Sequence, residues 1–424
     1  MSTKKTFLEA ILITVQLIND VIFMCESRTK PSYFTRAKNC KMDFESLILF
    51  QLNFVRKSIQ LELDDFFQRI KGSDHRITKQ AFSEARQKIS PKAFVKMADH
   101  LNSWFYGDND FKTFLGYRLC AIDASIFEVN NSKRLRDAFG YGEGKLVKLA
   151  RAKASGIYDL LNDMMLTSTI THYKMGERQI AVKLIEKLKE LGLKNDLLLF
   201  DRGYPGKDFF AYLHNNNIKF LMRMKSSSIV EVNAAKKPDQ AIELHFKGQI
   251  IPLRVVRFLL DTGEEEVLVT NLLEEKLTLQ EFKMLYFRRW GIEVKYDELK
   301  SRLQIENFTG DTVISVEQDF YATIFLSNLI ALAKREANEK IALNNEKKDL
   351  KYEYKVNNSI LIGKLKDSLV LMILENDPQK RVAMIQRIMD DILKNLVPIR
   401  PGRSNYRRKG LKAHKHPMNQ KRCL

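Results

Sequence analysis

The spacing of apolar positions changes near Tyr117, and that change divides the chain. Before it, apolar and polar residues mix as in helices, from Phe7 to Met24 and again from Phe44 to Ile70. Phe7 to Met24 is the most apolar stretch, but Glu9, Gln16, Asn19 and Asp20 interrupt it, so it predicts an amphipathic core helix rather than a bilayer span. A helix-turn-helix-like unit is predicted around Gly72. Its second helix has Thr78 as N-cap, Ile77 and Phe82 as a hydrophobic staple, and an end near Ser90 ahead of Pro91. Ala81, Phe82, Ala85 and Ile89 share one face, leaving Lys79, Gln80, Ser83 and Gln87 on the other.

After Tyr117 short apolar runs appear at Leu119–Ile122, Met164–Ile170, Leu197–Phe200 and Lys219–Met224, with a helix over Glu177–Leu191 between them. Strands alternating with helices predict an α/β sheet. Next comes a β-rich stretch with strands expected at Ser228–Val232, Ile242–Phe246, Ile250–Leu260 and Glu266–Asn271. A helical pattern resumes at Thr278, runs past Leu303, and is followed by helices including Phe320–Ala337 and Ile360–Leu374.

Charge sharpens the picture. The 71 Lys and Arg against 52 Asp and Glu give +19, an excess that points to a polyanion, either nucleic acid or an anionic membrane. Nine basic residues and no acid lie in Arg400–Leu424, and without that tail the chain carries +10 (62 basic against 52 acidic residues). Pro401, Gly402, Gly410 and Pro417 disfavour a helix there, so the tail reads as a phosphate-binding arm. Cys25, Cys40, Cys120 and Cys423 form neither a disulfide framework nor a zinc pair, which fits a reducing cytoplasm. No Walker loop and no Gly-x-Ser-x-Gly is present, so ATPase and serine-hydrolase readings lack support.

Two acids stand immediately after apolar runs: Asp123 after Leu119–Ile122, and Asp201 after Leu197–Phe200. Carboxylates at the ends of neighbouring buried strands converge where α/β sheets bind ligands, and can share hard cations. By itself this pattern is equally that of capping or turn residues. Further along, Tyr286, Arg289, Glu293 and Lys300 fall within a helical stripe about 60° wide, beside an apolar stripe of Leu285, Ile292, Tyr296, Leu299 and Leu303. Gly291 costs such a helix about 1 kcal/mol relative to Ala, so a neighbour passing close explains it better than helix stability.

The pattern Tyr-x2-Arg-x3-Glu-x6-Lys at Tyr286, Arg289, Glu293 and Lys300 resembles the signature of the insertion-sequence-four family of DDE transposases. Asp201-Arg202-Gly203-Tyr204 is similar to that family's second-Asp motif, and Ala121-Ile122-Asp123-Ala124-Ser125 to its first. The resemblance covers about 117–310. It implies an α/β fold with a ribonuclease-H-like core, a β-rich insertion between the second Asp and the Glu, and flanking helical regions. The organisation is then a helical DNA-binding region at 1–110, the first part of the core at 111–225, the insertion at 226–275, a core helix with the catalytic Glu at 276–310, a helical region at 311–399 and the basic tail at 400–424.

The resemblance further implies that Asp123, Asp201 and Glu293 hold two Mg²⁺ or Mn²⁺ ions. Tyr286, Arg289 and Lys300 would grip a phosphate of a transposon end, with Arg202, Lys79 and Arg86 as further DNA contacts. The expected partner is double-stranded DNA, at transposon ends and target, bound by a homodimer in a bacterial cytoplasm. Two alternatives are a catalytically inactive DNA-binding derivative and a nuclease that cuts without joining. Some relatives stack a flipped-out base on a Trp in the strand before the signature. Here that strand has none, and Trp290 reads as a packing residue. Glu177 and Arg178 resemble a family feature, but an acid at a helix N-terminus explains Glu177 equally well.

Deleting Arg400–Leu424 is expected to weaken DNA binding and to flatten its salt dependence, by about 0.9 in log–log slope for each phosphate that the tail neutralises. Titrations of end DNA at several salt concentrations check this, and an unchanged slope means that the tail does not touch DNA.

Overall fold

The computed structural model describes residues 6–35, 42–53, 58–72, 76–143, 148–260, 263–273, 277–346 and 349–400, so nearly all of the basic tail lies outside the described residues. The chain divides into two compact units, one of Phe94–Asn328 and the other of Thr3–Ala93 with Leu329–Leu424.

The N-terminal part of the second unit is helical, as the spacing predicts, but in shorter pieces. The expected helix from Phe7 to Met24 is two, α1 (Phe7–Ile18) and α2 (Val21–Ser27), bent by 67° at a break where Asp20 caps α2. Among the described residues no single helix is long and apolar enough to cross a membrane. Then come α3 (Phe44–Leu52), α4 (Ile59–Lys71) and α5 (Lys79–Arg86). Gly72, at φ +87°, ends α4 in a backbone conformation suited to glycine. Thr78 caps α5 by accepting from the Ala81 amide, and Ile77 and Phe82 are both buried, as the staple requires. The helix stops at Arg86 rather than near Ser90, because Ile89 bridges to Arg28 as extended backbone.

The first unit is built around one sheet. It contains α6 (Lys92–Tyr106), β1 (Arg118–Glu128), α7 (Lys133–Phe139), β2 (Tyr141–Glu143), β3 (Lys148–Asp159) and β4 (Met164–His172). It continues with α8 (Glu177–Glu190), β5 (Asp196–Phe200), α9 (Lys207–Asn215), β6 (Lys219–Met224), α10 (Val230–Ala234), β7 (Asp239–Phe246), β8 (Gln249–Leu259) and β9 (Glu265–Thr270). The last elements are α11 (Leu279–Phe287), α12 (Gly291–Ser301) and the start of α13 (Val313–Asn345). The strand order is β2-β3-β1-β5-β6-β9-β8-β7, with β4 on β3. Pairing is parallel from β1 to β5 to β6 and antiparallel elsewhere. The strands of the β-rich interval thus extend the same sheet, through β9 on β6. Ser228–Val232 is not a strand: a 3-10 turn (Ser226–Ser228) and α10 occupy it.

Among the strands, β3 escaped the apolar pattern and β1 was read too short, each for a physical reason. β3 buries Ala150, Ala152, Ala154 and Gly156, residues poor in β propensity, so its alternation carries little hydrophobic signal. β1 runs five residues beyond Asp123, because it continues to pair with β3 as far as Glu128 opposite Arg151. The remaining helices of the second unit are α14 (Asn358–Leu374) and α15 (Pro378–Leu393), followed by β11 (Leu396–Pro398), which pairs with β10 (Tyr354–Val356). α14 packs against α1 and α15.

A buried ion pair sets the sheet register. Arg118 and Asp196 are direct partners at the start of β1 and β5, and their forked hydrogen bonds measure 2.5 and 3.0 Å. Tyr106 stacks against the guanidinium at 4.6 Å and donates to Asp159 at the end of β3. Arg118→Met is expected to cost about 3–5 kcal/mol by leaving Asp196 buried without its partner, whereas adding Asp196→Leu restores most of the loss. Urea denaturation of the metal-free protein checks both, and a single variant as stable as wild type refutes the role of the pair.

Candidate active site

Continuing the β1–β5 register by two residues sets Asp201, just past the end of β5, beside Asp123 on β1. The backbone carbonyl of Asp123 accepts from Ser155 Oγ (2.8 Å) and from the Tyr296 hydroxyl (3.0 Å), so β3 and α12 both fix its position. Its carboxylate accepts from the Ala124 amide at 2.8 Å. That of Asp201 accepts from the Gly203 amide at 2.7 Å.

Glu293 arrives from α12, which packs on β1. Between α11 and α12 the predicted continuous helix tightens into a 3-10 turn, Arg288–Trp290. A Cβ on Gly291 would meet Leu160 Cδ2 at 2.7 Å, so a close neighbour does account for this glycine. Arg289 is only 4 % exposed. It donates to Glu293 at 2.9 Å and faces Asp123 at 3.7 Å, while Nε and Nη1 have no hydrogen-bond partner. The buried Tyr286 hydroxyl also lacks a partner, and burial pushes its pKa up to about 12, so it is a neutral donor. Burial, then the negative charges of Asp201 and Glu293, raise the Asp123 carboxyl to about 6, against the lowering effects of the Ala124 amide and Arg289.

Tyr204 is fully buried, its ring 5.3 Å from Phe200, and its hydroxyl too has no hydrogen-bond partner. Burial and the charges of Asp123, Glu177 and Asp201 keep it protonated. The site therefore presents hard carboxylate oxygens with buried donors left unused, a set that suits a divalent cation and a phosphate. Among the described residues no three acids, His or Cys form a ready metal cage, and Arg289 lies between Asp123 and Glu293 as a positive charge.

Beside Tyr286 opens a cleft of about 650 Å³ lined by Met284, Phe287, Trp290 and the Arg223–Glu266 ion pair, among others. Trp290 is 40 % exposed and Phe287 72 %, so both wall the cleft, while Trp290 also packs as its sequence position suggests, with the Arg289 guanidinium 5.0 Å from its ring.

The other expected contacts divide. Lys300 donates to the Ile126 carbonyl at 2.6 Å and lies over the Phe127 ring, which ties it to the far end of β1. Arg202 is exposed, with no ion pair found among the described residues. Lys79 is exposed on α5. Arg86 is corrected: it is 1 % exposed, bonded to Gln51 and stacked on Phe82, so its guanidinium braces the second unit instead of facing a groove. Asp297, one turn after Glu293, is exposed. Glu298 points elsewhere, accepting from the fully buried Lys295 at 3.1 Å. Glu177 was legible as a helix-opening acid and, with Arg178, as resembling a family feature, but neither reading placed it beside Asp201.

The raised carboxyl has a measurable cost. A folded-state pKa near 6, above the ordinary 3.8, contributes stability below pH 4 that is lost as the pH rises through 6. In chelator, Asp123→Asn should match wild type near pH 4 and exceed it at pH 7.5 by at most about 3 kcal/mol. Thermal unfolding across that range checks this, and a variant less stable at pH 7.5 refutes it.

Residues 115–329, half of the chain and including Asp123, Asp201 and Glu293, match the transposase DDE domain family. No curated protein sequence matches the chain. Among solved structures, it is similar to the cryo-EM structure of the piggyBac transposase synaptic complex with hairpin DNA, at 14 % identity and a TM-score of 0.48, over 93 % of this chain and 87 % of that one. On the match to residues 115–329, the chain belongs to the transposase DDE domain family, whose chemistry in general depends on a divalent metal.

Proposed function

We propose that this transposase cuts DNA at transposon terminal inverted repeats and joins the ends to target DNA by metal-dependent phosphoryl transfer. The observation that carries the reading is the placement of Asp201 beside Asp123 across paired parallel strands, with Glu293 brought to them by Arg289. Three antiparallel strands (β4, β3, β1) followed by two parallel ones (β5, β6) support a ribonuclease-H-like core.

Asp123, Asp201 and Glu293 would hold the metal, Mg²⁺ or Mn²⁺ as two ions. When bound, the ions supply an activated water or 3′-hydroxyl and stabilise the leaving oxygen at phosphorus. Arg289, with Nε and Nη1 unused, would donate to a phosphate of the DNA end. Tyr286 donates its hydroxyl to the same phosphate. The cleft walled by Phe287 and Trp290 supports an unpaired base of the opened end, the task that a Trp on β9 performs in some relatives. The functional form is a homodimer on two DNA ends, acting on DNA in a bacterial cytoplasm, with Lys79 and Arg202 as additional phosphate contacts.

Asp123→Asn, Asp201→Asn and Glu293→Ala are each expected to lower Mg²⁺-dependent cleavage and joining of end-bearing DNA more than about a hundredfold, with end binding retained. Asp297→Ala stays close to wild type. Glu298→Ala loses stability, because it strips a partner from buried Lys295, but keeps activity per folded molecule. Wild-type protein that binds ends without cutting them identifies an inactive derivative, and cutting without joining identifies a nuclease.

A further inference from the structure

Glu177 opens the 14-residue helix α8, where an acid favours the helix N-terminus and needs no further reason to be present. Its surroundings supply one. A Cβ on Gly203 would lie 3.1 Å from Asp201 Oδ1 and 3.2 Å from Glu177 Oε2, so the two carboxylates flank a single point that only glycine leaves open. Gly203 does not have the left-handed backbone that demands glycine, so the space itself accounts for the residue. The other Glu177 oxygen is 3.9 Å from Lys153 Nζ, which otherwise donates to the Met175 carbonyl at 2.7 Å. Lys153 thus stands to Glu177 as Arg289 stands to Glu293, a basic group balancing an acid at the edge of the same site.

The second observation is Tyr204. Its hydroxyl is fully buried, lies within reach of the charges of Asp123, Glu177 and Asp201, and has no protein acceptor. A buried donor without a partner costs about 1–3 kcal/mol, which is tolerated where a ligand supplies the acceptor, a part that a water or phosphate oxygen carried by a bound cation would play. Neither the helix N-terminus nor a chance gathering of acids accounts for it.

We propose that Glu177 is a fourth carboxylate of the metal site, holding a divalent cation together with Asp201 in the cradle beside Gly203. The proposal rests on the metal-dependent reading of Asp123, Asp201 and Glu293, to which it adds a ligand from a different element. Glu177 comes from the crossover helix between β4 and β5, so occupancy of the cradle couples the start of α8 to the end of β5.

The test is Mn²⁺ uptake by the full chain, followed through the electron paramagnetic resonance signal of the free ion, with thermal unfolding in chelator alongside. Glu177→Gln and Gly203→Ala, the latter filling the cradle, should each weaken uptake at least about tenfold. The Mn²⁺-induced rise in unfolding midpoint should shrink in step. A merely helix-stabilising acid predicts the opposite: a lower midpoint in chelator for Glu177→Gln and an unaltered Mn²⁺ isotherm, which overturns the proposal. Asp201→Asn separates the layers. If it abolishes uptake while Glu177→Gln and Gly203→Ala do not weaken it, the fourth carboxylate is refuted and the three-acid reading stands. If wild-type protein takes up no Mn²⁺, both fall.

Discussion

The parallel pairing of β1 with β5, pinned by Arg118 and Asp196, is the constraint on which the site depends. Side chains alternate along a strand, so a one-residue slip would turn Asp123 or Asp201 to the wrong face. A forked ion pair buried at one end of the two strands tolerates no slip, because either partner left alone would be a charge in an apolar core. Its bracing is redundant: Asp196 also accepts from the Lys194 amide, Arg118 is covered by Tyr106, and Tyr106 reaches Asp159 on β3. The three strands that carry the first two acids and the backbone support of Asp123 are therefore tied together at their far ends. The acids lie five residues downstream, near enough to inherit that register.

At the other end, charge is arranged at a cost. Asp123 is held where burial and two further acids oppose its ionisation, and Arg289 is buried with two donors unused. Tyr204 and Tyr286 are neutral donors without partners. A fold selected for stability alone would not gather these groups, and the proposed cation and phosphate would supply what they lack. Stability given up at a catalytic site is an ordinary compromise in enzymes. The structural charges of the same unit contrast with this: buried Lys295 has Asp163 and Glu298, and Arg118 has Asp196.

Much of the core was legible because its apolar runs are short, strong and set between helices. β4, β5, β6 and α8 fall where the pattern puts them, and the motif residues Asp123, Asp201 and Glu293 meet in one place. β3 was illegible because its buried face is alanine and glycine, small enough to admit close neighbours but nearly silent as hydrophobic signal. The single long helix read over the signature is broken by a 3-10 turn just before Gly291, the glycine that passes Leu160 closely. The polar face read on α5 is exposed at Lys79, Gln80 and Ser83, whereas Arg86, expected as a DNA contact, packs its long apolar stem and flat guanidinium on Phe82.

By itself the sequence determined the order of acids, the alternation of strands and helices, the excess of positive charge and the helical spacing of Tyr286, Arg289 and Glu293. These are local properties, set by residue type and by distances along the chain, and they survive without knowledge of what packs on what. Tertiary structure alone decided that the β-rich interval extends the core sheet, that Trp290 and Phe287 wall a cleft and that Lys300 is tied to β1. It also brought Glu177, from a helix 24 residues before Asp201, to the other side of Gly203 from that acid. The reason is the same in each case: these are pairings between segments distant in sequence, selected by complementary shape and charge in the folded state, and no periodicity in the chain encodes them.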